Sequence, residues 1–183
     1  MKKCFFWSVF VFVMGGLCSP AVALPVGIGA FAGLNMPIVQ DDAGTGSLYG
    51  ARVRLAVIPF LAVEPTLTFF NQGDATTEVR GEEYELDGGK STALGVNVIM
   101  GSVGTPVGLR FYNVIGIASH AMKQEGTEDE SRLAVSIGPG LEAKLGTQLA
   151  LNVETRLHMI SLEGGGARKN LGLTGGLMYY VGH

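Results

Sequence analysis

Cysteine is nearly absent from this chain, which has two among its 183 residues, Cys4 and Cys18. Both lie in the first 23 residues, so the rest of the sequence has no thiol for a disulfide or a thiolate metal site. Long apolar runs are lacking as well, because beyond residue 23 no stretch of 18 residues is free of both glycine and charge. These two absences exclude a disulfide-stapled domain and a membrane-spanning helix in residues 24–183.

The first segment has the three parts of a secretory signal peptide. Lys2 and Lys3 come first, an apolar run follows at Phe5–Val13, and small residues end the segment with the triplet Ala-Val-Ala at 21–23. The apolar run is shorter than the roughly 20 residues that a spanning helix needs. We therefore predict export and cleavage after Ala23, with residues 1–23 as the signal peptide and residues 24–183 as one domain.

The sequence does have a regular alternation of apolar and polar residues, with a period of two residues. In Leu149–Met159, the odd positions hold leucine, valine, threonine and methionine, whereas the even positions include Glu154, Arg156 and His158. Successive side chains of a β-strand point to opposite faces, so this pattern predicts a strand with one apolar and one charged face. A half-buried strand of a soluble protein has the same period, with its charged face in water.

Segments of this kind recur along the whole chain and are separated by turn residues. There are eight of them: Val26–Asn35, Ser47–Val57, Leu61–Asn71, Thr92–Gly101, Val107–His120, Arg132–Leu145, Leu149–Met159 and Leu171–Val181. One residue disturbs the pattern, since Asn113 falls on the apolar face of its segment, where a bulge is one explanation. The connections alternate between long and short, as in bacterial outer-membrane barrels. The sequence therefore predicts an all-β fold, an eight-stranded antiparallel closed transmembrane β-barrel in an up-and-down meander, with both termini in the periplasm.

The turn at Pro59 predicts a register. With Pro59 at its centre, three pairs face each other across the hairpin: Val57 and Leu61, Arg54 and Glu64, Tyr49 and Phe69. The second pair joins opposite charges and the third joins two aromatic rings, and both kinds of cross-strand pair are favourable. Tyr49 and Phe69 then lie near the boundary of the apolar band, so we assign them, together with Tyr179, to an aromatic girdle.

Charges on the inward face must meet one another, because an eight-stranded barrel is just wide enough for its own side chains. An unpaired buried charge is strongly destabilising, and residues of both signs are available. The predicted inward set is Arg52, Arg54, Glu64, Arg110, Glu142, Lys144, Glu154, Arg156 and His158. We expect them to form an ionic network that plugs the lumen; the alternative is a narrow channel that conducts ions or small solutes along the same residues.

Between residues 24 and 183 the chain resembles the OmpA/OmpX-like family of small outer-membrane β-barrels, the outer membrane protein beta-barrel domain. The likeness is one of strand periodicity and topology. In that family, inward arginine and glutamate form a central ionic network. By position, the resemblance implies that its members here are Arg54, Glu64, Arg110, Glu142, Glu154 and Arg156. It also implies residence in the outer membrane of a Gram-negative bacterium and a structural or surface-interaction role.

The long connections are acidic. Ten of the 16 acids lie in two of them: Asp74, Glu78, Glu82, Glu83, Glu85, Asp87, Glu125, Glu128, Asp129 and Glu130. An acidic rim disfavours nucleic acid as a partner. We predict contact with outer-membrane lipid and lipopolysaccharide and a monomeric state. For the acids themselves we expect a solvated charged loop; the alternatives are an extracellular ligand held by the acidic loops and divalent cations that bridge the loops to lipopolysaccharide.

Enzyme motifs fail on strand geometry. A serine–histidine pair must share one face of a strand, but His158 and Ser161 are three residues apart and Ser119 and His120 are adjacent. The scattered histidines, methionines and carboxylates do not suggest a metal site. We therefore predict no catalysis, no cofactor and no metal. The remaining alternatives are a lipid-modifying enzyme and a soluble lipocalin-like barrel, which requires apolar residues inside and charges outside.

Overall fold

The computed structural model describes residues 25–38, 44–73, 75–79, 82–86, 89–101, 108–123, 130–162 and 166–181. The strands in this part of the chain are β1 Val26–Pro37, β2 Gly46–Ile58, β3 Leu61–Asn71, β4 Ala75–Val79, β5 Glu82–Leu86, β6 Lys90–Gly101, β7 Leu109–Lys123, β8 Glu130–Lys144, β9 Leu149–Ser161 and β10 Ala167–Val181. The predicted signal peptide lies outside the described residues.

All strands except β4 and β5 close into one barrel. Their order around the barrel is β1, β2, β3, β6, β7, β8, β9 and β10, and β10 pairs with β1 to complete the circle. Every neighbouring pair is antiparallel. The predicted eight-stranded meander is therefore confirmed, and closure leaves none of these eight strands with an unpaired edge. Among the described residues, no helix has the length and apolarity needed to cross a bilayer.

The two ends of the barrel differ in their connections. The turn end carries the turn at Pro59 and Phe60 and the connections 102–108 and 145–148, together with Val26 and Val181, the outer residues of β1 and β10. The loop end carries the connections 38–45, 72–89, 124–129 and 162–166, and the two longest connections between barrel strands, 72–89 and 38–45, are among them.

The wall of the barrel is apolar outside and polar inside. Leu151 and Val153 of β9 are 44% and 52% exposed on the outer face, whereas Glu154, the residue after Val153, is 2% exposed inside. Phe111 on β7 is 73% exposed. This polarity is the reverse of that of a soluble lipocalin-like barrel and matches a wall that faces lipid.

The predicted strand boundaries are least accurate at the loop end. There β10 begins at Ala167 instead of Leu171, and β7 ends at Lys123 instead of His120. The added residues include outward polar side chains such as Lys169. The apolar alternation therefore stops before the hydrogen-bonded ladder does, because the strands continue past the apolar belt.

The connection between β3 and β6 contains structure that the sequence pattern does not indicate. It is predicted as a loop from Gln72 to Gly89, but β4 and β5 pair within it, from Ala75 opposite Leu86 to Val79 opposite Glu82. Each of these strands has five residues, about half the length of a transmembrane segment. Strands this short and polar carry too few alternations to be distinguished from a loop.

The register of the β2–β3 hairpin is confirmed over most of its length. Tyr49 lies opposite Phe69 and Leu55 lies opposite Val63, as a turn centred on Pro59 requires. The prediction is wrong beside the turn, where Ile58 rather than Val57 pairs with Leu61, because the register shifts between Ala56 and Ile58. The shift makes Pro59 and Phe60 the turn, a connection in which proline needs no backbone donor.

Asn113 lies on the outer face of β7 without a bulge. It pairs in unbroken register with Met100 of β6 and Pro139 of β8. The exception to the alternation is therefore a polar side chain on the outer face, within four residues of the start of β7 at Leu109.

The lumen holds apolar layers on both sides of its centre. Towards the turn end lie two buried clusters, formed by Ala56, Ala62, Ile99, Tyr112 and Val114 and by Ala150, Met178 and Tyr180. Towards the loop end lies a third, formed by Leu48, Phe70 and Ala93 with Phe31 and Ala118 packed against it. The buried charges lie between these layers.

Candidate functional site in the barrel lumen

Three glutamates from different strands form the centre of the lumen. Glu64 of β3 is 0% exposed, Glu142 of β8 is 1% exposed and Glu154 of β9 is 2% exposed. Each occupies an inward position of its strand, so the barrel wall brings together carboxylates that are far apart in the chain. Buried carboxylates at this depth require positive partners and hydrogen-bond donors.

Glu154 has the densest set of partners. Its Oε1 accepts hydrogen bonds from Arg52 Nη1 at 2.5 Å and from Tyr112 Oη at 2.5 Å. Its Oε2 accepts from Arg156, through Nη2 at 2.5 Å and Nε at 2.9 Å. Both guanidinium groups and the phenol come from different strands, so this carboxylate ties β2, β7 and β9 together.

Arg54 joins opposite walls of the barrel. Its Nε donates to Glu64 Oε2 at 2.7 Å across the β2–β3 hairpin. Its Nη1 donates to Glu142 Oε2 at 2.8 Å, and Glu142 is 88 residues away in the chain. Tyr180 Oη donates to the same carboxylate oxygen at 2.8 Å, and Arg110 Nη1 donates to Glu142 Oε1 at 3.3 Å.

Glu64 completes the connection between the two halves of the network. Its Oε1 accepts hydrogen bonds from Asn97 Nδ2 and from Arg156 Nη2, each at 3.3 Å. Because Arg156 also binds Glu154, every one of the three glutamates is linked to the others through an arginine. Linked pairs of this kind have more than one partner for each charge, so removing one member affects several contacts.

Aromatic rings cover the cationic side of the network. The guanidinium of Arg52 lies 4.8 Å from the centre of the Phe31 ring, and that of Arg54 lies 4.9 Å from the Tyr112 ring. Lys144 Nζ lies 4.9 Å from the Tyr180 ring. These cation–π contacts are favourable where water is excluded. Within the described residues the hydrogen-bonded network has four arginines for three glutamates, so its arginines exceed its carboxylates by one even before Lys144 is counted.

Inward glycines leave the space that these side chains fill. A Cβ added to Gly140 would lie 2.3 Å from Tyr112 Cε2, and one added to Gly116 would lie 2.0 Å from Asn97 Oδ1. A Cβ at Gly176 would lie 2.7 Å from Asn152 Oδ1, the atom that accepts a hydrogen bond from Arg52 Nη2. Glycine on the inward face is therefore a packing requirement of the network.

A small cavity lies beside the network on its loop-end side. It measures about 30 Å³ and its lining includes Thr66, Asn97, His120, Ser136, Arg156 and His158. This volume fits roughly one or two waters, and the lining offers polar partners for them. Within the described residues, Nδ1 of His120 has no hydrogen-bond partner although the residue is 1% exposed, so this ring nitrogen is one group that such a water can satisfy.

The structure separates His158 from the ion pairs. Its ring packs edge-on against Phe70 with the ring centres 5.5 Å apart, and the centre of the Phe70 ring also lies 5.0 Å from that of His120. Arg52, Arg54, Glu64, Arg110, Glu142, Glu154 and Arg156 all make the ion pairs given above, whereas the contact given for Lys144 is that of its Nζ with the Tyr180 ring. Sequence reasoning assigned no network role to Tyr112, Tyr180, Asn97 and Asn152. Their inward register was the available signal, but the pattern did not show that they donate to or accept from the charged groups.

The residues assigned to the girdle lie on the outer face, at both ends of the barrel. Tyr49 and Phe69 stack near the loop end with ring centres 5.3 Å apart. Tyr179 is 48% exposed near the turn end, where it lies opposite Ile28 and Leu149.

The serine and histidine pairs are separated by the wall of the barrel. Ser119 is exposed on the outer face and shares a hydrogen bond with Ser131 Oγ at 2.7 Å, whereas His120 is buried inside. Ser161 is exposed and His158 faces the lumen cavity. In the part of the chain that the structure describes, no group of three or more histidines, cysteines and acids is arranged to hold a metal ion.

Comparison with known proteins identifies the fold. Neither a protein family nor a curated protein matches the sequence. Among solved structures, Neisserial surface protein A (NspA) superposes with a TM-score of 0.59 at 12% identity, covering 88% of this chain and 99% of that one. The outer membrane protein OprG of Pseudomonas aeruginosa has a TM-score of 0.56 at 14% identity, covering 88% and 98%. A major outer membrane protein of Thermus thermophilus has a TM-score of 0.54 at 14% identity, covering 87% and 100%.

These identities are low, so the likeness concerns the fold. The chain has the fold of the small outer-membrane β-barrels, which confirms at this level the resemblance to the OmpA/OmpX-like barrels. Its outer face has the polarity that such a barrel needs in a bilayer.

Proposed function

We propose that this protein is an exported, integral outer-membrane β-barrel whose lumen is plugged by the Arg/Glu network and whose role is structural or surface-interacting, without catalysis. Short turns of such barrels face the periplasm and longer loops face outwards, so the loop end is extracellular. The acidic residues of the long connections then lie at the cell surface, where they are available to an extracellular ligand or to lipopolysaccharide.

The proposal that the lumen is plugged rests on one observation. Arg54 binds Glu64 and Glu142 on opposite walls, and all three side chains are 3% exposed or less. Towards the turn end, Ala62, Ile99 and Val114 are each 0% exposed. An ion entering from the loop end therefore meets the apolar cluster of Leu48, Phe70 and Ala93, then the paired ionic layer and then a second packed apolar layer. Separating the paired charges would leave them buried and uncompensated, which costs about 3–5 kcal/mol for a pair that loses one partner.

The test is conductance in planar lipid bilayers. We expect the refolded protein to insert without steady, reproducible current steps. Steady steps in the wild type that disappear or change size in Glu64→Gln and Arg54→Ala would establish the narrow channel instead. A gel in which the unboiled protein migrates differently from the boiled one shows, in the same samples, that the barrel is folded.

A second measurement addresses the enzyme alternative. Expression of the protein in a Gram-negative host should leave the mass spectrum of lipid A unchanged, because the structure places Ser119 and His120 on opposite sides of the wall. A new lipid A species that depends on His120 would overturn the non-catalytic role.

A further inference from the structure

The cavity beside the network has charge of one sign on its described lining. Arg156 is the charged residue there, and no aspartate or glutamate is among the lining residues that the structure describes. Arg156 binds Glu154 and Glu64 through Nε and Nη2, whereas its Nη1 makes no hydrogen bond or ion pair with any described residue. The cavity wall therefore carries a positive charge without a carboxylate of its own.

Further donors on the same wall have no partner among the described residues. The hydroxyls of Thr66 and Ser136 make no hydrogen bond there, although both residues are only 9% exposed. His120 is 1% exposed, and its Nδ1 lacks a partner as well. Buried donors without acceptors are unfavourable, so the cavity favours an occupant that accepts several hydrogen bonds at once.

Two inward glycines keep the space beside these hydroxyls open. A Cβ added to Gly116 would lie 2.8 Å from Ser136 Oγ, and one added to Gly95 would lie 3.3 Å from Thr66 Oγ1. A larger residue at either position would narrow the cavity. Its volume therefore depends on the choice of glycine on two neighbouring strands.

The volume and the surroundings of the cavity favour a small anion. About 30 Å³ holds one or two waters, which is too little for a phosphate or for most organic acids. A halide ion accepts hydrogen bonds from every direction and also compensates the charge of Arg156, whereas a water must place its own two protons. Phe70 and Ala93 of the loop-end cluster line the cavity and lower the local dielectric constant, which strengthens the attraction of an anion to Arg156.

We propose that this cavity, which we call the lumen anion site, binds one chloride ion. The groups that hold it are Arg156 Nη1, the hydroxyls of Thr66 and Ser136, and the imidazole of His120. The proposal goes beyond the proposed function, because it assigns a ligand to the lumen. It rests on that function for a closed lumen, in which an ion is held and does not pass through.

Crystals of the mature chain grown in bromide locate the ion. Bromide is a heavier halide of similar size, and its anomalous scattering distinguishes it from water. We expect one anomalous peak within hydrogen-bond distance of Arg156 Nη1 and Ser136 Oγ. Water in the cavity gives no such peak and would overturn the lumen anion site.

Urea unfolding in phosphatidylcholine vesicles measures binding away from the crystal. The folded fraction is read from the unboiled band on a gel, in potassium chloride and in potassium gluconate at equal ionic strength. Gluconate is too large for the cavity. An ion that binds only the folded state stabilises it, so a tenfold rise in chloride above its dissociation constant should raise the folding constant about tenfold, and gluconate should have no comparable effect.

The test variant is Thr66→Val/Ser136→Ala, which removes two hydroxyls with little change in volume. Each hydrogen bond to a charged group is worth roughly a factor of ten or more, so we expect about 100-fold weaker binding and loss of the chloride dependence over the same concentration range. If this variant does not fold, Ser136→Ala alone replaces it, with binding about tenfold weaker.

The matched control is Thr174→Val/Ser91→Ala. It also removes one threonine and one serine hydroxyl from buried inward positions, but neither residue belongs to the described lining of the cavity. The control should keep the wild-type chloride dependence.

Three results would overturn the lumen anion site: no bromide peak, equal effects of chloride and gluconate on the wild type, or equal chloride dependence in the wild type and the test variant. A bromide peak together with either of the last two means an adventitious ion only. The barrel is folded in each of these cases, so the proposed function stands. Steady current steps in planar bilayers would overturn the closed lumen, and with it the held ion.

Discussion

The inner and outer faces of the same strands follow different rules. On β9, Val153 and Leu151 face outwards and need only to be apolar, because lipid adapts to any apolar shape. Glu154, one residue away, contacts two arginines and a tyrosine through particular oxygen atoms. The outer face is therefore specified by composition, since any apolar residue is suitable there. The inner face is specified by partners, since each inward charge needs particular hydrogen-bond and ion-pair partners.

This difference sets the sensitivity of each face to substitution. An inward change removes a partner at a place where little water is available to replace it, since the cavity described beside the network measures about 30 Å³. An outward change is tolerated as long as it stays apolar and fails when it introduces charge. Substitutions on the two faces can be compared directly, because they can be placed at neighbouring positions of one strand.

The largest effect is expected for Glu64→Ala. This change leaves Arg54 and Arg156 without one carboxylate each and uncovers Asn97, so we expect the free energy of unfolding to fall by about 3–5 kcal/mol. The protein is unfolded with urea in lipid vesicles, and the folded fraction at each urea concentration is read from the unboiled band on a gel. Tryptophan fluorescence does not serve here, because the only tryptophan, Trp7, lies in the predicted signal peptide.

The control is Thr68→Ala, an inward change on the same strand. It should alter the free energy of unfolding far less, because Thr68 makes no side-chain hydrogen bond to the network within the described residues. Equal losses for the two variants would mean that partner contacts do not determine the stability of the inner face.

A charge on the outer face is expected to have the next largest effect. Val153→Arg places a guanidinium near the middle of the apolar belt, which should lower the free energy of unfolding by about 2–4 kcal/mol. Val153→Leu keeps the apolar composition and should leave the same gel-based unfolding curve nearly unchanged. A large loss for Val153→Leu would contradict the rule that the outer face is specified by composition alone.

The same contrast explains what the sequence could predict. The outer face is repetitive, so alternation alone identified the eight barrel strands, the meander and the outward positions. The inner face is not repetitive. The sequence indicates that Glu142 and Glu154 face inwards. Which arginine each of them meets depends on the registers of all the strand pairs between them and on how far each side chain extends into the lumen. The pairing of Arg54 with Glu142, 88 residues away, is of this kind.

The Arg54–Glu64 contact could be predicted from the sequence because the two residues are close in the chain. The two residues lie in one hairpin, ten positions apart, and the turn at Pro59 fixes their register despite the shift beside it. The roles of Tyr112 and Tyr180 could not be predicted from the sequence, because a tyrosine at an inward position can pack as an aromatic ring or donate a hydrogen bond through its hydroxyl. The two tyrosines do both, each donating to a glutamate and covering a cation.

The smallest effect tests whether any pair on the outer face depends on partners. Tyr49 and Phe69 are register partners and their rings stack at 5.3 Å, so a double-mutant cycle with Tyr49→Ala and Phe69→Ala should give a coupling free energy of about 0.5–1.5 kcal/mol. The matched cycle is Tyr179→Ala with Leu149→Ala, an outward register pair that has only one aromatic ring. We expect less coupling there, measured by the same urea titration in vesicles. If the two cycles give the same value, the stacking contributes nothing beyond apolar area, and the outer face is specified by composition even at its aromatic positions. If the Tyr49–Phe69 coupling is larger, the boundary of the apolar belt is the part of the outer face where specific partners begin to matter.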